Sequence, residues 1–125
     1  MFEKIVKIGL LFDFYGKLLS DKQYLAIELY YIHDLTLSEV GQQLKISRQG
    51  AYDLVKRAEK QLFIYEEKLG LVKKFQDKND KVKELKLLLD KIKNNTDIQD
   101  ENSRLINDIY IIIQEILDND QEGRQ

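Results

Sequence analysis

Apolar residues recur along this chain at three- and four-residue intervals, the spacing of one face of an α-helix. The first stripe, Ile5, Ile8, Phe12, Tyr15 and Leu19, predicts a helix over Phe2 to Leu19. The stretch "LSDKQ" then offers Ser20 as an N-cap with Gln23 three residues on. In that capping-box pattern each side chain satisfies a backbone N–H that the helix start leaves unpaired. A second helix is therefore expected from Asp21 to Ile32, carrying Tyr24, Leu25, Ile27, Leu29 and Tyr31. Thr36 and Glu39 repeat the capping box and open a short third helix, Leu37 to Leu44. "KIS" makes a turn, Ser47 caps the next helix, and that helix extends from Arg48 to Leu69. Gly70 is placed to end it, because glycine adopts the left-handed conformation at little cost.

Beyond Gly70 the pattern changes. Phe75, Val82, Leu85, Leu89 and Ile92 step by seven, three, four and three, a coiled-coil-like period with Lys78 in one apolar slot. "NNTD" (Asn94 to Asp97) interrupts it, with Thr96 as a cap, and a last helix is expected from Asp97 to Leu117. Ile98, Leu105, Ile109, Ile112 and Ile116 lie on one side of that helix, with Asn102 in the same stripe, and the tail "DNDQEGRQ" reads as frayed. Leu71 to Thr96 carries eight basic against four acidic residues, and Asp97 to Gln125 two against eight. Opposite signs suit antiparallel pairing of two amphipathic helices, within one chain or between two; plain solvated faces are the alternative. The organisation expected is a helical domain over 1–70 containing a helix-turn-helix at 37–69. An amphipathic region over 71–125 serves packing or dimerisation, and a homodimer is expected because one short hairpin buries only part of its stripes.

Composition narrows the class. Proline is absent from the 125 residues, 43% are hydrophobic and 34% are charged, which is the profile of an all-α protein with solvated helix faces. Without cysteine there is neither a disulfide framework nor a thiolate zinc site. Asp13 interrupts the apolar start and no small-residue cleavage site follows, so the N-terminus reads as an amphipathic helix rather than a signal peptide. No run reaches the roughly 18 apolar residues of a membrane span. A cytoplasmic protein with no membrane insertion is expected. His33 is the single histidine and has no ligand set around it, and no phosphate-cradling loop or nucleophile motif occurs. The chain reads as a non-enzyme without cofactor or metal.

The segment "LTLSEVGQQLKISRQGAYDLVKRAEKQL", Leu35 to Leu62, carries the candidate chemistry. A helix-turn-helix needs apolar residues at set inward positions and a small residue where the helices touch. Val40, Leu44, Ile46, Ala51, Leu54 and Val55 fill the inward positions, and Gly41 is the small residue. Lys45 stands where many such turns place glycine for a left-handed conformation. Ser47, Arg48, Gln49, Tyr52, Asp53 and Lys56 face outward from the second helix, with Arg57 and Lys60 beside them. In the usual docking geometry Arg48 meets guanine and Gln49 adenine. Tyr52 meets a phosphate or a thymine methyl, and Lys56, Arg57 and Lys60 meet the backbone. Five basic against three acidic residues in this segment, and a net charge of −2 overall, make a thin surplus for binding DNA. Asp53 on the exposed face opposes phosphate. A protein- or RNA-binding use of the same scaffold is the other reading.

The segment is similar to the promoter-reading helix-turn-helix of sigma factors (their region 4). More closely, "LFDFYGKLLSDKQ", "IELYYIHDLTLSEV", "ISRQGAYD" and "YEEKLGL" resemble the YlxM-like family of small bacterial helix-turn-helix proteins, over about Leu11 to Leu71. The resemblance implies an all-helical, cytoplasmic, non-enzymatic bacterial protein with signal recognition particle components as partners. It places Ser47, Arg48, Gln49, Tyr52 and Asp53 on the family's "SRQxxYD" positions, with Gly50 and Ala51 in the two variable places.

Overall fold

Two capping boxes and a left-handed turn decide where the N-terminal helices begin and end in the computed structural model, which describes residues 2–95 and 100–123. Every element among the described residues is helical: α1 (Phe2–Tyr15), a 3₁₀ turn (Gly16–Leu18), α2 (Asp21–Ile27), a π-helical turn (Glu28–Ile32), α3 (Leu37–Leu44), α4 (Arg48–Leu69), α5 (Leu71–Asn95) and α6 (Asp100–Gly123). The fold is all-α. At the start of α2 the Gln23 N–H donates to Ser20 Oγ at 3.2 Å and the Ser20 N–H to Gln23 Oε1 at 3.3 Å. At α3 the Glu39 N–H reaches Thr36 Oγ1 at 3.2 Å and the Thr36 N–H reaches Glu39 Oε1 at 3.0 Å.

The first two helices depart from the plain period. The helix expected to Leu19 leaves α geometry after Tyr15, because Gly16 lies under the Phe12 and Tyr24 rings, whose centroids are 4.7 Å apart. A Cβ at Gly16 would sit 3.0 Å from the Phe12 ring. The helix expected as regular to Ile32 widens after Ile27, where the His33 N–H donates to Glu28 O at 3.0 Å across five residues. The wider turn points Tyr31 at α4 and sets Tyr30 edge-on to it, ring centroids 5.0 Å apart.

The chain forms two units, Met1–Val72 and Lys73–Gln125. The core of the first joins Ile8, Leu11 and Tyr15 of α1, Ala26 and Ile27 of α2, Val55, Ala58 and Leu62 of α4, and Val72. Ile5, placed on the inward stripe of α1 by its spacing, is instead exposed, and Leu11 takes the buried place. Gly70 ends α4 at φ +62, its N–H donating to Glu66 O at 2.8 Å, and α5 begins at the next residue. The Tyr15 hydroxyl donates to Glu66 Oε1 at 2.6 Å, and the same carboxylate oxygen accepts the Val72 N–H at 3.0 Å. The Leu71 N–H donates to the Tyr15 hydroxyl at 3.0 Å. One buried tyrosine and one glutamate thus fasten Leu71 and Val72 to the core of this unit.

In the second unit α5 and α6 pair as an antiparallel hairpin. Tyr110 bonds Asp90, and the Lys93 ammonium lies 5.8 Å from the Tyr110 ring. With residues 90 and 110 level, a parallel pair would separate residues 95 and 100 by ~22 Å along the axis at 1.5 Å rise per residue. Five residues span at most ~18 Å, so only the antiparallel arrangement closes. Leu89, Ile106 and Ile113 are buried in it. Of the stripe read on the last helix, Leu105, Ile109, Ile112 and Ile116 are exposed, and the stripe of Ile106, Tyr110 and Ile113, one residue on, faces α5. Leu85 and Ile92 of the α5 stripe are exposed as well. The Thr96 cap and Ile98 lie outside the described residues. The tail expected to fray is helical to Gly123, since nothing before that glycine interrupts the helix.

Candidate nucleic-acid interface

The turn between α3 and α4 is built by the backbone. Lys45 adopts the left-handed conformation at φ 58, ψ 44; the Ile46 N–H donates to Gly41 O at 2.9 Å and the Lys45 N–H to Gln42 O at 3.4 Å. These two bonds make a Schellman motif, which satisfies the last carbonyls of α3. The return of the chain brings it onto Gly41, where a Cβ would lie 2.8 Å from Ile46 O and 3.2 Å from Ser47 O. Glycine at this position is a steric requirement. Ser47 then caps α4, its Oγ accepting the Gly50 N–H at 2.9 Å.

Val40, Gly41, Ala51 and Val55 are buried at the α3–α4 contact, while Leu44 and Leu54 are half-buried. Ile46, expected to plug the turn, is 36% exposed. Its backbone makes the turn, and its side chain lines a shallow groove beside Lys22, Leu25, Lys45 and Arg57.

Arg48, Gln49, Tyr52, Asp53, Lys56, Arg57 and Lys60 are all exposed. At 100° per residue they occupy one half of the α4 circumference, with Arg48 and Arg57 at its edges. Gln49 is engaged: its Nε2 donates to Asp53 Oδ1 at 3.1 Å. Lys56 lies 3.5 Å from Glu59 Oε2 and 5.6 Å from the Tyr52 ring centroid. Arg48, Arg57 and Lys60 have no acidic partner within 4 Å among the described residues.

The acidic residues of this segment are unevenly placed. Glu39 is held in the α3 capping box, and its bonds with the Thr36 backbone and hydroxyl lower its pKa. Glu59 is 6% exposed behind the reading face. Only Asp53 stands among the outward cations, so the face is more positive than the residue count of the segment indicates.

Glu59 is a group that spacing reasoning missed. It receives the Tyr31 hydroxyl, and Lys4 and Lys56 each approach its Oε2 to 3.5 Å. Burial, then the bond to Glu59, raise the Tyr31 pKa far above the ordinary 10.0. A cleft of about 560 Å³ opens above this cluster, rimmed by Ile5, Tyr30, Leu37 and Tyr52. The sequence carried one signal of it: Glu59 falls on the Val55–Ala58–Leu62 stripe, where a charge needs an answering group.

Residues 2–119 match the family of helix-turn-helix proteins described as YlxM / p13 like, UPF0122. The chain belongs to this family. It is 56% identical over 77 residues to a UPF0122 protein of Caldanaerobacter subterraneus subsp. tengcongensis, covering 62% of this chain and 66% of the relative. It is 50% identical over 107 residues to one of Thermoanaerobacter sp. (strain X514), covering 86% and 85%. A Listeria welshimeri member is 46% identical over 91 residues, covering 73% and 83%. The family match takes in the α5–α6 unit as well as the helix-turn-helix, so both units belong to the family's shared chain.

Among the described residues no group of three or more His, Cys, Asp or Glu side chains is placed to hold a metal ion, and no helix is long and apolar enough to cross a membrane.

Proposed function

We propose that this chain is a non-enzymatic, cytoplasmic regulatory protein that binds DNA through α4, within the signal recognition particle setting that its family resemblance implies. One observation carries the reading. The turn projects Arg48, Arg57 and Lys60 from one exposed face, while two of the segment's three acidic residues are bonded away from it. Arg48, at the helix start, takes a guanine edge; Lys56, Arg57 and Lys60 take phosphates. Fluorescence anisotropy on a random-site duplex library tests it. With three phosphate contacts, log affinity should fall with log salt at a slope of about −3. Arg48→Ala should weaken binding by roughly tenfold or more and relax sequence preference, and Lys60→Ala should weaken all sequences alike. No complex at low salt sinks the proposal.

A second reading is favoured by the self-bonding of the reading face. Gln49 is occupied by Asp53 and Lys56 by Glu59, and Tyr52, 42% exposed, gives the face an aromatic contact. Such a face suits a protein or RNA surface of the targeting particle. It predicts that Tyr52→Ala abolishes co-purification with particle components; unchanged recovery of those components counts against it.

A further inference from the structure

The α5–α6 hairpin carries a second apolar stripe on each helix, and we infer that these stripes form the interface with a second copy of this chain. On α6, Leu105, Ile109, Ile112 and Ile116 repeat by four, three and four residues and are 55, 37, 55 and 36% exposed. On α5, Leu85, Leu88 and Ile92 repeat by three and four and are 46, 50 and 52% exposed. Both stripes are rotated about 100° in the same sense from the face that the helix turns to its hairpin partner. In an antiparallel pair, equal rotation in the same sense brings both stripes to the same side. The seven side chains therefore make one apolar surface, flanked by Lys81, Glu84 and Lys91 on α5 and by Asp108 and Glu115 on α6.

Two arguments choose a second copy as the occupant. The seven side chains, each about half exposed, offer on the order of 300 Å² of apolar surface per copy. That is the size of patch that marks an interaction site, and it supplies the apolar centre of an interface of about 800 Å² per partner. Charge then selects the arrangement. Leu71–Asn95 carries eight lysines against four acidic residues, and Asp100–Gly123 one arginine against seven acidic residues. Stacking α5 of one copy on α6 of the other sets a helix of net positive charge against one of net negative charge. Stacking like on like sets basic against basic and acidic against acidic. The product is a four-helix bundle with its two-fold axis along the helices.

Sedimentation equilibrium of the full chain tests the association. The expected result is a species of about twice 14.8 kDa at micromolar concentration. Leu88→Lys and Ile112→Lys should each raise the dimer dissociation constant by at least about 30-fold, the effect of a central interface residue. Because the chain has no cysteine, single-cysteine variants report the arrangement cleanly. Residues 88 and 112 are level in the hairpin, so a mixture of Leu88→Cys and Ile112→Cys chains should give the 88–112 disulfide in preference to either symmetric product. That crosslink decides the matter even where a lysine variant loses helical circular dichroism. A monomer at the highest concentration, a dimer untouched by both lysine variants, or a dominant 88–88 or 112–112 crosslink overturns the inference.

Discussion

A carboxylate only 6% exposed needs its charge answered, and Glu59 is answered by the Tyr31 hydroxyl, Lys4 and Lys56. Burial and the bond to Glu59 raise the Tyr31 pKa, and burial followed by the bond to Glu66 raises that of Tyr15. Both phenols keep their protons in the fold after the unfolded chain has begun to lose them. Folding stability should therefore be level up to about the ordinary tyrosine value of 10.0 and fall as pH rises above it. Urea unfolding from pH 8 to pH 11 checks this. Tyr31→Phe should cost about 1–3 kcal/mol at pH 8 by taking a hydrogen bond from a buried carboxylate, and should flatten the alkaline decline. Glu59 falls on the Val55–Leu62 stripe and Glu66 one turn beyond it, and spacing reasoning passed over both. Their partners were not legible, because Lys4 and Tyr15 lie some fifty residues away and only the tertiary fold brings them in.

At the scale of elements, the helix-turn-helix was legible because its signals are local. Caps at Ser20, Thr36 and Ser47 and the stop at Gly70 each depend on a few consecutive residues. The turn also yields opposite expectations for two neighbours. Gly41→Ala gains the roughly 1 kcal/mol of helix propensity that glycine forgoes. It also forces a Cβ to 2.8 Å from the Ile46 carbonyl oxygen, so the net change should be a loss of about 1–2 kcal/mol. Lys45→Gly relieves a left-handed residue and should stabilise by up to about 1 kcal/mol, after the added freedom of the unfolded chain is subtracted. Denaturant midpoints of the two variants read both signs. Illegible were the π turn at Glu28–Ile32, since a 3.6-residue period does not disclose where one residue is added, and the facing sides of α5 and α6. Each of those helices carries two apolar stripes, and periodicity ranks neither. The Tyr110 contacts with Asp90 and Lys93 accompany the stripe that is turned inward.

For the whole molecule, net charge was the poorest guide. A value of −2 averages a basic α5, an acidic α6 and a reading face whose acidic neighbours are mostly bonded elsewhere. If two copies join through their hairpins, each presents one α4 and binding to a duplex with two sites becomes cooperative through linkage. Ile112→Lys should then lower affinity for a two-site duplex by roughly 100-fold and leave affinity for a single site unchanged. Anisotropy titrations on the two duplexes separate these outcomes. Lys56 finally sets a limit of its own. The same ammonium that faces outward for phosphate is one of two that shield the Glu59 carboxylate. A ligand that draws it away leaves Lys4 as the only lysine on that charge, so each gain in grip at the surface loosens the floor beneath the helix that makes it.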